Sequence, residues 1–567
     1  MELERELIVI TRTEEGAPVL GAAAVDLSRI VSEAGGAMHR LFSAAPEAPA
    51  AEPLGAGAEA GALPAEVTFY RVDAPDERLE DLARRLQELP TVEAAYVKPP
   101  ASPAVLTEVE LPRSEPGIND MAPRPEEPAA TPDFTSRQGY LNAAPEGIDA
   151  RFAWTRPGGS GAGVRIIDIE GAWRFTHEDL VQNQGGMVFG TASGDLAWRN
   201  HGTAVIGEFG GDRNTFGITG ICPDANVRAI SIFGGVGSAG AIRQAADLLN
   251  PGDVILIELH RPGPRHNFAP RLDQAGYVAI EWWPDDYQAI RYAVNKGVIV
   301  VEAAGNGQEN LDDAIYNTNP SAPFGPFPSW WRNPYRRAPL DSGAIVVGAG
   351  APPPGTHGRN HGPDRSRLGF SNYGALVDAQ GWGREVTTTG YGDLQGGSNE
   401  DLWYTDTFSG TSSASPIVVG AIAGVQGVLR AAGRIPMSPA RAREVLRATG
   451  SPQQDAPGRP ATQRIGNRPN MRQMIDYVLP TRTWIGVQFT GVVPANQTSR
   501  WFTHSWPAHW HVIWTVVPTS VTPGGPQIRW RVQVERASDQ HITYWIEITN
   551  LTNVPVNIEA RYAVLGW

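Results

Sequence analysis

Four side chains in separate parts of the sequence are of the types that can together cleave an acyl bond. Asp168 stands at the end of an apolar run, and His201 opens an apolar helical segment. Ser412 precedes a second apolar helix, and Asn306 ends another strand-like run. A serine hydroxyl becomes an effective nucleophile when a histidine accepts its proton and an acid fixes the tautomer of that histidine. The amide of Asn306 and the backbone N–H of Ser412 would stabilise the resulting oxyanion.

The motifs around these residues resemble those of the subtilisin-like serine proteases. They read Ile-Ile-Asp168-Ile, His201-Gly-Thr, Ala-Ala-Gly-Asn306 and Gly-Thr-Ser412-x-Ala-Ser-Pro, in the family's chain order. The resemblance implies that Asp168 orients His201, which acts first as general base and then as general acid. It also implies that Ser412 attacks the substrate carbonyl and that Asn306 helps to form the oxyanion hole. The expected function is that of a serine endopeptidase, which hydrolyses polypeptide substrates through an acyl-enzyme and needs no cofactor for this chemistry.

One spacing departs from the family pattern. Two extra residues separate Asp168 from the segment His177-Glu-Asp-Leu, which the family also has. We therefore expect the loop that follows the acid to be remodelled.

The resemblance also implies a structural calcium site. The family has a calcium-binding carboxylate at the position of Asp179, and Asn214 stands in a loop whose spacing matches that of related enzymes. Gln138 is a third candidate ligand. Carboxylate and amide oxygens are the hard ligands that Ca²⁺ prefers, but Arg213 beside Asn214 could replace the ion with its own charge. Binding of Ca²⁺ therefore stays open at this point.

The glycine-rich segment after the strand Ile230–Phe233 has two interpretations. The resemblance implies that this strand, with Gly237 and Ser238, forms the edge that pairs with an extended substrate. Alternatively, Gly235-x-Gly-x-x-Gly after an apolar strand, with Glu258 about 20 residues later, is the pattern of a dinucleotide site. The segment lies between the histidine and asparagine motifs, where the substrate groove should be, and this favours the first interpretation.

The wall of the specificity pocket also departs from the family. Where the family has Ser-Leu-Gly-Gly, this chain has Ile-Glu258-Leu-His, followed by an insertion. A free Glu258 would favour a cationic substrate side chain. Alternatively, it pairs with Arg261 or Arg265 of the insertion. That pairing would leave an apolar pocket shaped by Trp282 and Trp283.

Two further functions share part of this pattern. A catalytically silent relative would bind peptides without cutting them, but the residues for cutting are all present. An esterase of the α/β-hydrolase fold would need Gly-x-Ser-x-Gly and the chain order serine, acid, histidine. Neither requirement is met by the segment Gly410-Thr-Ser-Ser-Ala or by the order of the motifs.

A parallel sheet would position these side chains. From Phe134 to about Val478, short apolar runs alternate with helical segments. Such alternation is typical of a sheet covered on both faces, so we expect a doubly wound α/β domain over residues 133–478. Ligands gather at the carboxyl ends of strands in these sheets, where Asp168 stands. The main runs are Val164–Ile169, Val227–Phe233, Val254–Ile257, Val298–Val301 and Ala344–Val347.

Residues 1–98 predict a ferredoxin-like α+β domain in the order βαββαβ. Its second helix carries leucines 79, 82, 86 and 89 on one face. The resemblance implies that this domain is a propeptide, which assists folding and acts as an intramolecular inhibitor with its tail in the active site. Residues 99–132 hold nine prolines and predict an extended linker.

The last part of the chain, residues 479–567, has a different composition. It holds eight of the 17 tryptophans, among alternating apolar and polar runs and turn signals. This pattern predicts an all-β accessory domain of the sandwich type.

Composition excludes several classes of protein. The formal net charge of −14 disfavours a nucleic-acid partner. The single cysteine, Cys222, excludes an internal disulfide and is interpreted as a small buried residue. The N-terminal segment lacks the pattern of a secretory signal, and no apolar run is long enough for a membrane span. The sequence as given reads as cytoplasmic, export by another route stays open, and localisation is left undecided.

Overall fold

A computed structural model describes residues 4–12, 22–44, 67–105, 130–479, 483–521, 524–538 and 540–565. Most of the predicted linker, residues 106–129, lies outside the described residues. So do residues 45–66, within the predicted ferredoxin-like domain.

The helices and strands are numbered in chain order. The helices are α1 (Ala22–Glu33), α2 (Leu79–Gln87), α3 (Ala150–Ala153), α4 (Leu196–Gly210), α5 (Gly237–Leu248), α6 (Pro284–Asn295), α7 (Ser415–Ala431), α8 (Pro439–Ala448) and α9 (Met471–Val478). The strands are β1 (Glu6–Arg12), β2 (Ala37–Ala44), β3 (Val67–Asp73), β4 (Val92–Lys98), β5 (Ser102–Pro103), β6 (Arg165–Glu170), β7 (Gln184–Phe189), β8 (Asn226–Ser231), β9 (Val254–Ile257), β10 (Leu259–Pro262), β11 (Tyr277–Ala279), β12 (Ile299–Ala303), β13 (Ile345–Gly350), β14 (Ala379–Trp382), β15 (Val386–Thr389), β16 (Tyr404–Phe408), β17 (Trp484–Val493), β18 (Thr498–Pro507), β19 (Val512–Pro518), β20 (Ile528–Arg536), β21 (His541–Asn550) and β22 (Val556–Val564).

The N-terminal elements have the predicted ferredoxin-like arrangement. Their strands form an antiparallel sheet in the order β2-β3-β1-β4. Helix α1 connects β1 to β2, and helix α2 connects β3 to β4, and neither of these two pairs of strands is adjacent in the sheet. The predicted leucine face of α2 packs inward, because Leu79, Leu82 and Leu86 are buried in the cluster of this domain. An amphipathic helix is held mainly by such burial against a sheet.

The central sheet is the predicted parallel sheet of a doubly wound fold. Its seven strands lie in the order β14-β13-β12-β9-β6-β8-β7, and every pair in it is parallel. Strands β9 and β12 are buried along their whole length, as apolar runs in a covered sheet should be. The strands that follow β6 lie on both sides of it, so a crevice opens beyond its carboxyl end.

Two helix pairs cover this sheet, namely α5 with α6 and α4 with α7. Helix α7 is apolar almost all round and buried from Ser415 to Leu429, which explains its unbroken run of apolar residues. Cys222 is fully buried, as the composition predicted.

The C-terminal elements form a second compact unit, which comprises Ala440–Val445 and the chain from Ile475 onward. Two three-stranded antiparallel sheets, in the orders β17-β22-β19 and β18-β21-β20, enclose a core that includes Trp506, Trp514 and Ile546. The all-β prediction for this part of the chain is confirmed. In the part of the chain that the structure describes, no helix is both long and apolar enough to cross a membrane.

Candidate functional site

The predicted catalytic side chains lie at the carboxyl end of β6, in the N-terminal half of α4 and just before α7. His201 lies in the second turn of α4, and Ser412 lies in the turn that leads into α7. Both side chains are completely buried. Neither Nε2 of His201 nor Oγ of Ser412 has a hydrogen-bond partner among the described residues. A base and a hydroxyl whose reactive atoms are buried and uncommitted are available for proton transfer.

The acid that contacts the histidine is Glu170, which corrects the prediction for Asp168. Oε2 of Glu170 lies 2.5 Å from Nδ1 of His201. Asp168 instead accepts a hydrogen bond from the indole nitrogen of Trp173 at 2.7 Å. Residues two apart on a strand point to the same face, so both carboxyls face the site, but only the later one reaches the imidazole.

A signal for Glu170 was present in the sequence. The two extra residues between Asp168 and the His177-Glu-Asp-Leu segment disappear when the count starts from Glu170. The spacing therefore indicated Glu170, whereas chemical type alone did not, because an aspartate is the usual acid. The glutamate side chain is one carbon longer, and its carboxyl contacts His201.

Burial sets the protonation of this pair. Exclusion from water lowers the pKa of His201 to about 3. Burial also raises the pKa of Glu170 well above its usual range, although Asp168 beside it acts in the opposite direction. The imidazole is therefore neutral at neutral pH, which is the form that can accept a proton.

The chain segment that follows β4 enters this site. The backbone N–H of Ser412 donates to the carbonyl oxygen of Ala104 at 3.3 Å. Gly410 has a φ of 106°, and a Cβ at this position would lie 2.1 Å from the same oxygen. Only glycine allows so close an approach, so the turn before α7 is shaped to receive a carbonyl.

The same segment is held in extended form before Ala104. Strand β5 pairs antiparallel with β10, with Leu259 opposite Pro103 and His260 opposite Ser102. Added strands of this kind are a general mode of peptide recognition. We refer to residues 99–105 as the tail.

The structure places the predicted substrate edge differently from the expectation. Ile232, Phe233 and Gly237 line a small pocket against Ala101 of the tail, so this edge contacts the tail by packing. The backbone pairing is made by β10, on the other side of the tail. Ser238, at the start of α5, bonds to charged groups that are described below.

Asn306 is oriented by its neighbours. Its Oδ1 accepts from the backbone N–H of Thr411 at 2.9 Å and from the Thr411 hydroxyl at 3.0 Å. Its Nδ2 donates to Gln274 at 3.0 Å, and Gln274 donates to the carbonyl of Val105 at 2.7 Å. Sequence reasoning missed Gln274, which lies in the insertion and has a φ of 53° that no sequence signal predicted.

Both interpretations of Glu258 need correction. It lies after β9 and bonds to the hydroxyl of Ser415, whereas Arg261 and Arg265 have other carboxylate partners. Burial, with smaller contributions from Glu170 and Asp168, raises the pKa of Glu258 well above its usual range, and the Ser412 hydroxyl acts weakly against this rise. A carboxyl that is buried and bonded to Ser415 is not free to pair with a cationic substrate side chain. Ser412 is also among its neighbours.

The tryptophans expected to shape the pocket belong to an aromatic cluster. Trp282 and Trp283 are completely buried and pack edge to face against each other and against Phe327. The ring of Tyr96 from the N-terminal domain also stacks on Trp283. The tryptophans therefore contribute to packing against the N-terminal domain.

The residues predicted to bind calcium do not present a suitable set of ligands. The carboxylate of Asp179 accepts from the backbone N–H of Ile218 at 2.6 Å and from the side-chain nitrogen of Asn214. Oε1 of Gln138 accepts from the backbone N–H of Thr219 at 2.9 Å. Burial raises the pKa of Asp179 to about 7. These oxygens are therefore satisfied by protein donors, whereas Ca²⁺ needs several oxygens aimed at one point.

Arg213 does not take the place of the ion. Its guanidinium donates to Ser160 at 2.7 Å and lies 3.5 Å from Asp224. Within the described ranges, no group of three or more histidine, cysteine, aspartate or glutamate side chains is arranged to hold a metal.

Comparison with known proteins places these residues in context. A profile described as the subtilase family matches residues 183–467, which include His201, Asn306 and Ser412. The match begins after Glu170, in agreement with the altered spacing around the acid.

Individual relatives share the same stretch. Thermitase of Thermoactinomyces vulgaris is 27% identical over 326 residues, covering 53% of this chain and 85% of that protein. Subtilisin Savinase of Lederbergia lenta is 27% identical over 270 residues, covering 47% of this chain and 76% of that protein. Among solved structures, fervidolysin from Fervidobacterium pennivorans, described as a keratinolytic enzyme related to subtilisin, gives a TM-score of 0.46 at 17% identity. That match covers 98% of this chain and 70% of that one.

Proposed function

The chain belongs to the subtilase family and is a subtilisin-like serine peptidase, and we propose that it cleaves peptide bonds through an acyl-enzyme on Ser412. The observation that carries the proposal is the hydrogen bond from the Ser412 N–H to the Ala104 carbonyl, with the tail paired as an added strand. A peptide held in this way presents its carbonyl carbon to the serine and its carbonyl oxygen to an oxyanion donor.

The proposed reaction follows from the contacts around His201. Oγ of Ser412 forms a bond to the carbonyl carbon while its proton passes to Nε2 of His201. Glu170 at Nδ1 stabilises the imidazolium, and the backbone N–H of Ser412 stabilises the oxyanion. The imidazolium then protonates the amine of the departing peptide as the C–N bond breaks. Water repeats the sequence on the ester and releases the acid.

We also propose that the N-terminal domain inhibits the enzyme in the same chain. Its tail fills the groove from Ala101 to Val105, so no other peptide can bind there at the same time. The residue whose carbonyl meets Ser412 is Ala104, which makes Ala104–Val105 the bond to be cut. The small side chain of Ala104 is completely buried, which favours small residues before the cleaved bond.

Refolding the full-length chain tests this function. We expect a first fragment that ends at Ala104 and a larger fragment that begins at Val105, because this bond lies at the serine. Intact mass and N-terminal sequencing identify both ends. Replacing Ala104 by glutamate is expected to abolish this cut. The side chain of Ala104 is completely buried, and the carboxyls of Glu170 and Glu258 at the site are buried as well. A chain that hydrolyses added peptides while the Ala104–Val105 bond stays intact would contradict both the inhibition and the assigned bond.

Asn306 is proposed as the second oxyanion donor. An amide nitrogen carries two hydrogens, so one remains after the bond to Gln274. We expect Asn306→Leu to lower kcat on the order of 10²–10³ with little change in KM, the loss typical of removing one such donor. Gln274→Leu is the comparison, because it loses the bond to the residue after the cut, and we expect its KM to rise instead. An Asn306→Leu enzyme altered only in KM would contradict this role.

A further inference from the structure

A cluster of buried charges lies where β4 ends against the first turn of α6. Nζ of Lys98 is 2.5 Å from Asp285 and 3.0 Å from Asp286. It also donates to the hydroxyl of Ser238 at 3.0 Å. All four side chains are completely buried. The three donors of the ammonium group thus meet three acceptors of the catalytic domain.

The type of this residue is informative. The chain has 47 basic residues, of which only Lys98 and Lys296 are lysines. Lys296 lies on the surface and pairs with Asp247. Lys98 is the buried one, and its compact ammonium donates to both carboxylates and to the Ser238 hydroxyl.

The position of Lys98 along the tail relates it to the catalytic serine. It lies six positions before Ala104, with five residues between them, a distance of about 20 Å in an extended chain. Between them, Arg261 donates to the carbonyl of Pro99, and Ala101 packs in one cluster with Ile232 and Phe233. Lys98 to Ala104 is therefore bound along its length as one extended peptide.

The charge left behind shows what the cluster would bind. Glu6 and Lys98 both belong to the N-terminal domain and depart with it. Among the described residues of the catalytic domain, Asp285 and Asp286 then face one cation, Arg261, whose Nε lies 3.9 Å from Asp286. The exposed site holds one uncompensated negative charge, beside the hydroxyl of Ser238, and is shaped for an ammonium group.

We propose that Asp285, Asp286 and Ser238 form a subsite for a cationic side chain at the seventh residue before the cleaved bond of a polypeptide substrate. The proposal rests on the proposed function, because it requires release of the tail. Lys98 is the occupant of this subsite in the uncleaved chain. The ligand class is an extended peptide with lysine at that position.

Matched peptides test the subsite in the self-processed enzyme. Each long peptide has the tail sequence from residue 98 across the cleaved bond, with lysine, methionine or glutamate in the first position. A short peptide begins at the position of Ala101 and cannot reach the subsite. We expect kcat/KM to be roughly tenfold or more higher for the lysine peptide than for the methionine peptide, through KM, with the glutamate peptide lowest. Equal values for the three long peptides would overturn the subsite.

The short peptide separates the two proposals. Its hydrolysis with no preference among the long peptides would overturn only the subsite, whereas resistance of the short and the long peptides alike would overturn the proposed function and the subsite with it. Asp286→Asn is expected to reduce the ratio of lysine to methionine peptide severalfold. Asp247→Asn, which removes an exposed carboxylate from the neighbouring helix α5, should leave the ratio unchanged. An unchanged ratio in both variants would contradict the assignment to Asp286.

Discussion

Replacing Ser412 by alanine is expected to lower the rate constant of self-cleavage by about 10⁶, the loss typical of removing the serine nucleophile in this family. The reason is that the Ser412 hydroxyl has no hydrogen-bond partner among the described residues and belongs to the residue whose N–H donates to the Ala104 carbonyl. No other hydroxyl in the described ranges combines these two features. The measurement is the first-order appearance of the larger fragment on refolding. The full-length variant should persist for weeks.

Ser413→Ala is the matched control for this experiment. The Ser413 hydroxyl bonds to the carbonyl oxygens of Trp382 and Gly410 and faces away from the reaction. We expect its loss to reduce the rate by less than about tenfold, since removing one neutral hydrogen bond costs about 1 kcal/mol of stability. Equal losses in the two variants would indicate that a general disturbance of this turn, rather than loss of the nucleophile, is responsible.

Glu170→Gln is expected to lower the same rate constant roughly 10⁴-fold, because an amide donor at Nδ1 favours the wrong tautomer of His201 and cannot stabilise its cation. Asp168→Asn keeps the bond to Trp173 available and does not touch the imidazole, so we expect a loss of less than about tenfold. Self-cleavage of both refolded chains, with thermal denaturation recorded to show equal folding, gives the comparison. A larger loss in Asp168→Asn than in Glu170→Gln would restore the acid to Asp168.

Local patterns predicted the fold where its elements have a strong periodicity. The apolar strands, the leucine face of α2 and the apolar helix α7 all bury residues whose spacing is visible in the sequence. The proposed nucleophile and base could likewise be chosen from the sequence, because Ser412 and His201 lie in short motifs in or next to apolar helices.

Residue type alone did not decide between the two carboxyls of β6, although the spacing to the His177-Glu-Asp-Leu segment fitted Glu170. Asp168 and Glu170 share one face of β6, and the choice between them depends on which carboxyl reaches a helix elsewhere in the chain. The same limit applies to Glu258, whose partner is Ser415 rather than the nearby arginines. The hydrogen bonds of the predicted calcium ligands lie equally beyond sequence reasoning, since the side chain of Asp179 accepts from a backbone donor that no motif reveals.

Contacts between distant segments lie furthest from sequence reasoning. Lys98 meets Asp285 across almost 190 residues, and Gln274 reaches Val105 across a similar distance. The glycines of the dinucleotide pattern are a second example, because a short motif suggested a ligand where the structure has a contact with a distant segment. A Cβ on Gly237 would lie 2.4 Å from a carboxylate oxygen of Glu6, so the segment receives the N-terminal domain in this structure.

The most direct test of the central claim, that Ser412 is the nucleophile, is to map the site of fluorophosphonate labelling in the self-processed enzyme. Peptide mass mapping should place the adduct on Ser412, and the Ser412→Ala chain, freed of its tail by added wild-type enzyme, should take up no label. An adduct on Ser413 or Ser415, or equal labelling of the Ser412→Ala protein, would contradict the account.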